Sequence, residues 1–197
     1  MFNSRNKTKA AFAKYENQYG FRGEVKYGRR KVGVRRDGKM YYAIEAGGEV
    51  ISPWFEELTV WSTFNLCKLD GVYFLTSASG KEIISEKYKK IGLLQSVSGL
   101  GRYFAKAETL EGKFGIIDSN GKVGIECNQD ALQRLGPAHA VCGKMFEDGM
   151  RYGIFAVNGE KVADYEFVKY TMDKTKVVMT TSDGKEYYYS KSGVRIK

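Results

Sequence analysis

The sequence predicts an all-β fold of tandem hairpins, each unit about 35 to 40 residues long, behind a short N-terminal helix. Three observations predict it. The 197 residues include 23 glycines, more than helix interiors tolerate, which implies many tight turns. Tyr (14), Phe (11) and Trp (2) fall in short runs with Ile and Val, residues that suit a pleated, half-buried surface. Five turn pairs also recur: Asp37-Gly38, Asp70-Gly71, Glu111-Gly112, Asp148-Gly149 and Asp183-Gly184, at spacings of 33, 41, 37 and 35. Each is followed nine or ten residues later by a second glycine, at Gly48, Gly80, Gly121, Gly159 or Gly193. Asp-Gly and Asn-Gly supply the positive φ that tight hairpins require, so each unit is expected to be one hairpin.

Taken in order, residues 1–22 form a basic leading segment. Thr8, Phe12, Tyr15 and Tyr19 lie on one helical stripe, Ser4 is placed to cap it, and Gly20 and Gly23 stop it. This amphipathic helix either docks its stripe on the body or stays free for a partner or membrane surface. Residues 23–197 are expected to be a single β-repeat domain. A second element follows the hairpins as ISPWFEEL from Ile51, ISEKYKKI from Ile84 and VADYEFVKY from Val162; the matching GIECNQDALQRL keeps Leu132 and Leu135 but has lost the aromatic. Further β-like runs such as LTVWSTFNLCKL from Leu58 bring the count to three or four strands per unit.

These residues resemble the WG-repeat family, whose unit holds an aromatic-Gly pair, an apolar pair, an acidic residue and a Gly-Lys turn. The closest match is Lys113-Phe114-Gly115-Ile116-Ile117-Asp118-Ser119-Asn120-Gly121-Lys122, with echoes at Arg151-Tyr152-Gly153-Ile154 and Lys31-Val32-Gly33-Val34, and Ser52-Pro53-Trp54-Phe55-Glu56-Glu57-Leu58 resembles the later segment of the unit. Several units lack the aromatic-Gly pair. The resemblance, over about residues 30 to 197, implies a β-rich interaction module without a shared catalytic constellation.

A lone hairpin unit cannot bury its apolar face, so neighbours must stack. The expected array is propeller-like, with about five units closed by pairing the end segments GEVKY and KVGVRR with KEYYY and VRI; an open stack is the alternative.

The net charge of +9 is confined to one end. Residues 1–40 carry twelve basic and three acidic side chains, leaving 20 of each sign in residues 41–197. Such asymmetry suggests attraction to a polyanion or an acidic protein surface, or simply a solubilising face. Lys26, Tyr27, Arg29, Arg30, Lys31, Arg35 and Arg36 are the candidate contacts, because one hairpin would offer several cations to phosphates or carboxylates beside a ring able to stack. Five phosphate contacts would give a log-log salt slope of about −4 on duplex DNA. Trp54, Phe55 and Trp61, with Phe64 nearby, are either core or protein-interface anchors.

Catalytic chemistry finds little support in the residues. The one histidine, His139, follows Pro137 in an expected loop, and neither a nucleophile elbow nor a phosphate-binding loop occurs. Glu56 and Glu57 would point to opposite faces of a strand. Cys67, Cys127 and Cys142 lack disulfide or zinc spacing and are expected to be small buried apolar residues in a reducing, cytoplasmic compartment. No window is apolar and long enough to span a bilayer. The expectation is a non-enzymatic protein-binding module that needs no cofactor, with sequence-nonspecific nucleic-acid binding as the alternative.

Overall fold

A computed structural model describes residues 20–196; the expected N-terminal helix lies outside the described residues. The described chain is all antiparallel β, with eighteen strands and no helix. By its contacts the chain divides into two compact units, Met1–Lys87 and Tyr88–Lys197.

The first unit holds two sheets. One runs in the order β1 (Phe21–Arg22), β2 (Arg29–Arg36), β3 (Lys39–Ala46), β4 (Glu49–Val50); the other contains β5 (Glu57–Val60), β6 (Phe64–Leu69) and β7 (Val72–Ser77). The β2–β3 and β6–β7 hairpins turn at Asp37-Gly38 and Asp70-Gly71. All four turn residues have φ between 48° and 78°, so these are the two-residue turns whose twist matches that of the strands. Ile44, Phe55, Leu58, Cys67 and Phe74 form the core of this unit, drawing on both sheets. The link from hairpin to next strand is fixed by a serine. Ser52 Oγ accepts the Ile44 amide at 2.9 Å, and Ser85 Oγ accepts the Leu75 amide at 2.9 Å.

The second unit also holds two sheets. In the first, β8 (Lys90–Ile91) and β9 (Gln95–Val97) pair with β10 (Arg102–Glu108), followed by β11 (Phe114–Asp118) and β12 (Val123–Gln129). The second contains β13 (Ala131–Arg134), β14 (His139–Phe146), β15 (Gly149–Ala156), β16 (Lys161–Met172), β17 (Lys176–Thr181) and β18 (Glu186–Ser190), paired in chain order. The fourth and fifth hairpins therefore share one sheet. They do so through β16, whose first half pairs with β15 and whose second half pairs with β17, with an irregularity between Phe167 and Lys169.

All ten glycines marked by the sequence have positive φ, and each closes a connection between antiparallel neighbours. In the fourth hairpin the loop is Glu147-Asp148, because Phe146 already pairs with Gly149, so the turn falls one residue earlier than expected. None of the sheets closes on itself. GEVKY and KVGVRR lie with the four-stranded sheet, whereas KEYYY and VRI belong to the six-stranded one, so the composite end blade is not formed. His139 opens β14 and is half-buried beside Gly193, which corrects the expected loop position. No described helix is long and apolar enough to cross a membrane.

Two cysteines are buried as expected. Burial pushes the Cys67 thiol up to about 11, despite a hydrogen bond with Thr76, and the Cys142 thiol up to about 12, despite the nearby Lys106 ammonium. Cys127 is half-buried; burial raises it too, countered by the Tyr88 hydroxyl. Thiolate is the reactive form. Alkylation at mildly alkaline pH, followed by intact mass, is therefore expected to leave Cys67 and Cys142 unmodified until denaturant exposes all three cysteines.

Candidate functional site

The basic tract does not form one continuous surface. Strand β2 spans about 23 Å from Arg29 to Arg36 at roughly 3.3 Å per residue, and its cations divide into a paired set at one end and an exposed set at the other.

At the paired end, the Arg29 guanidinium donates to the carbonyls of Ala78, Trp61 (3.0 Å) and Ser62 (2.8 Å). It thereby satisfies main-chain acceptors between β5 and β6 and just after β7. Arg30 reaches the Glu45 carboxylate at 3.4 Å, and Arg22 reaches the same oxygen at 3.2 Å. Glu45 is 2% exposed, so one buried carboxylate organises two cations from neighbouring strands. Lys31 Nζ donates to the Leu58 carbonyl at 2.8 Å and sits 3.7 Å from the Tyr42 ring centroid. Burial pushes its ammonium below the usual lysine range, partly offset by the Glu57 carboxylate. Lys31 thereby ties β2 to β5, Arg29 supplies donors to carbonyls just beyond β5 and β7, and Arg30 ties β2 to β3.

The same clamp occurs in the second unit. Lys106 Nζ donates to the Leu132 carbonyl at 2.6 Å and lies 3.9 Å from the Phe114 ring, and burial lowers this ammonium as well. Asp118 parallels Glu45: it is 2% exposed, takes Arg102 Nη1 at 2.8 Å, and accepts the amides of Asn120 (2.8 Å) and Lys122 (3.0 Å). Both buried carboxylates thus have structural partners. No group of three or more His, Cys, Asp or Glu placed to hold a metal occurs among the described residues.

The remaining cations are exposed. Lys26 and Tyr27 form the turn before β2, where Tyr27 (φ 54°) and Gly28 (φ 72°) close a tight loop and Tyr27 is 68% exposed. Lys26, Arg29, Arg30 and Lys31 border a shallow recess of about 270 Å³ whose wall also carries the opposing charge of Glu24. At the far tip, Arg35, Arg36 and Lys39 are exposed around Asp37. The Arg36 guanidinium lies 5.2 Å from the ring centroid of half-buried Trp54.

The aromatic candidates separate in the same way. Phe55 is 2% exposed and meets Phe74 edge-on at 6.1 Å, so it is a core residue and not an interface anchor. Trp61 is half-buried and stacks on buried Phe64 at 5.4 Å. Trp54 is the one of the three that meets the exposed basic tip.

Sequence reasoning missed Glu45 and Lys106 as organising groups, although each is a lone charge inside an otherwise small or apolar strand run, YYAIEA and FAKA. The division of the tract gives a direct comparison. Arg29→Ala is expected to lower the unfolding free energy by about 1.5–3 kcal/mol, the range for hydrogen bonds to charged groups. Arg35→Ala should stay within about 0.5 kcal/mol. Urea titration of both variants measures this difference.

No family model and no curated protein matches the chain. Among solved structures it is similar to a crystal structure of a eukaryotic initiation factor, at 9% identity and a TM-score of 0.43, covering 88% of this chain and 53% of that one. It is also similar to the computationally designed Ika4 protein, at 13% identity and a TM-score of 0.30, covering 68% of this chain and 88% of that one. The chain thus spans about half the length of the initiation-factor chain.

Proposed function

We propose that this protein is a non-enzymatic interaction module, built from five tandem WG-like hairpin units in a propeller-like or open stacked array. It binds an acidic face of a partner protein through the tip of the β2–β3 hairpin. The observation that carries this reading is the exposed grouping of Arg35, Arg36 and Lys39 with the Arg36 guanidinium over Trp54. Arg and Trp are the side chains that dominate interface energetics, and a cation held against an aromatic face presents its remaining donors with little freedom left to lose. The recurrent positive-φ glycines and the shared lysine clamp support descent of the hairpins from one unit.

Nucleic-acid binding is the second reading, and the geometry limits it. Arg29, Arg30 and Lys31 are engaged within the fold, which leaves Arg35, Arg36 and Lys39 as one compact set for phosphates. Three phosphate contacts would give a log-log salt slope of about −3, shallower than the whole tract would produce.

Both readings are tested by affinity capture with the wild-type chain and an Arg35→Ala/Arg36→Ala/Trp54→Ala variant, with and without nuclease. A protein partner that survives digestion and is lost by the variant supports the first reading. A partner lost on digestion, with labelled DNA or RNA binding directly at the stated slope, supports the second. Partners retained equally by the variant would overturn both.

A further inference from the structure

In three places a β strand places an aromatic residue opposite the following crossing segment. Tyr42 faces Phe55 and Tyr152 faces Phe167, both buried rings, but Phe114 faces Gln129. Gln129 is itself 4% exposed. Beside this amide, in the second unit, lies a recess of about 310 Å³ lined by Gln129, Glu126, Asn128, Lys144, Phe155 and Tyr165.

The recess has an ordered wall. Gln129 Nε2 donates to the Asn128 side-chain oxygen at 2.7 Å and to the Glu126 carbonyl at 3.3 Å, while Gln129 Oε1 accepts the Tyr165 hydroxyl. The Tyr165 ring is 5.2 Å from Phe155 and 6.0 Å from Phe146. The buried Gln129 amide is hydrogen-bonded at both ends, and such an amide fixes its partners, so Tyr165 is held in place before any ligand arrives. Burial pushes its phenol up to about 12, so the hydroxyl remains a neutral donor to Gln129. Meanwhile the Glu126 carboxylate and Lys144 ammonium make no hydrogen bond or salt bridge among the described residues, and the Asn128 amide keeps its two N–H donors.

We propose that this recess binds one heteroaromatic ring of the nucleobase type. Phe155 and Tyr165 supply the apolar, stacking wall, and Asn128, Lys144 and Glu126 supply donors and an acceptor for the edge. A phenyl or indole ring carries at most one polar atom and would leave this mixed set unpaired, while a bare phosphate would meet the Glu126 carboxylate. The volume lies at the small end of the ~300–1,000 Å³ range for ligand sites, which suits a single base or nucleoside. The base comes either from a free nucleoside or from an unstacked residue of a single strand, where aromatic stacking and edge hydrogen bonds are the usual means of recognition.

The test is titration of the full chain with adenosine, guanosine, cytidine and uridine, with single-stranded RNA hexamers of each base, and with indole as the apolar control, followed by NMR. At least one nucleoside or its hexamer is expected to bind with a Kd of about 1 mM or tighter. Gln129→Phe places here the ring that Phe55 and Phe167 supply elsewhere, and should weaken binding at least about tenfold. Lys144→Ala, at a half-buried strand position, should weaken it several-fold with an unchanged unfolding midpoint, and this keeps the test decisive if Gln129→Phe does not fold. Binding of the hexamer without the nucleoside identifies a strand as the source; binding of both identifies the free base. The proposal is overturned by indole binding as tightly as the nucleosides, by binding that Lys144→Ala leaves unchanged, or by no binding of any base at about 10 mM.

Discussion

Glu45→Ala is expected to lower the unfolding free energy of the first unit by about 3 kcal/mol, the low end of the cost of breaking a buried ion pair from one side. The carboxylate side chain is 3% exposed, and those of its partners Arg22 and Arg30 are 15% and 16% exposed. Removing it takes away the buried carboxylate oxygen that both guanidinium groups reach. Glu45→Gln keeps the shape and one acceptor oxygen, so it should fall between the alanine variant and the wild type. Chemical denaturation of the three proteins reads this order directly. A stability equal to that of the wild type would mean that water screens this carboxylate far more than its burial implies.

Gly124→Ala should cost a similar amount, about 3 kcal/mol, at the upper end of the usual penalty for overpacking. A Cβ there would lie 1.9 Å from the Val157 carbonyl oxygen, and a Cβ on Gly159 would lie 2.4 Å from the Gly124 carbonyl oxygen. Two backbones therefore touch where β12 passes the β15–β16 turn. A backbone oxygen cannot rotate aside as a side chain can, so either the turn or the strand must shift. At 2–4 °C per kcal/mol, the expected loss in melting temperature is about 6–12 °C. Gly112→Ala isolates the other role of glycine. It has open space around its Cβ but a φ of +80°, so any loss there reports backbone conformation alone.

The hairpins were legible because a positive φ is a local requirement, met most readily by glycine and next by Asp or Asn. The pairs from Asp37-Gly38 to Asp183-Gly184 announce their turns without any knowledge of what packs above them. The basic tract was legible as charge but not as surface. Nothing in the string RRKVGVRR says that Arg29 and Lys31 will meet the carbonyls of Leu58, Trp61, Ser62 and Ala78, since those acceptors lie 27 to 49 residues away. Phe55 presents the same problem: an aromatic beside Trp54 looks equally suited to core or interface until Phe74 is seen against it. The missing aromatic in GIECNQDALQRL was visible as a departure from the pattern. Its result, a polar-edged recess at Gln129, depends on the Tyr165 hydroxyl arriving from another sheet. Strand sharing was hidden too, because the irregularity after Phe167 that lets β16 serve two hairpins is a matter of tertiary pairing.

That shared strand makes the C-terminal region hard to trim. A chain ending before Lys176 would keep all twelve residues of β16 but lose the neighbour of its second half. The donors and acceptors from Phe167 to Met172 would then become an open seam, available to the same segment of another molecule. Shortened versions of this protein should therefore fail by self-association sooner than by simple unfolding, and their solubility should fall steeply with concentration.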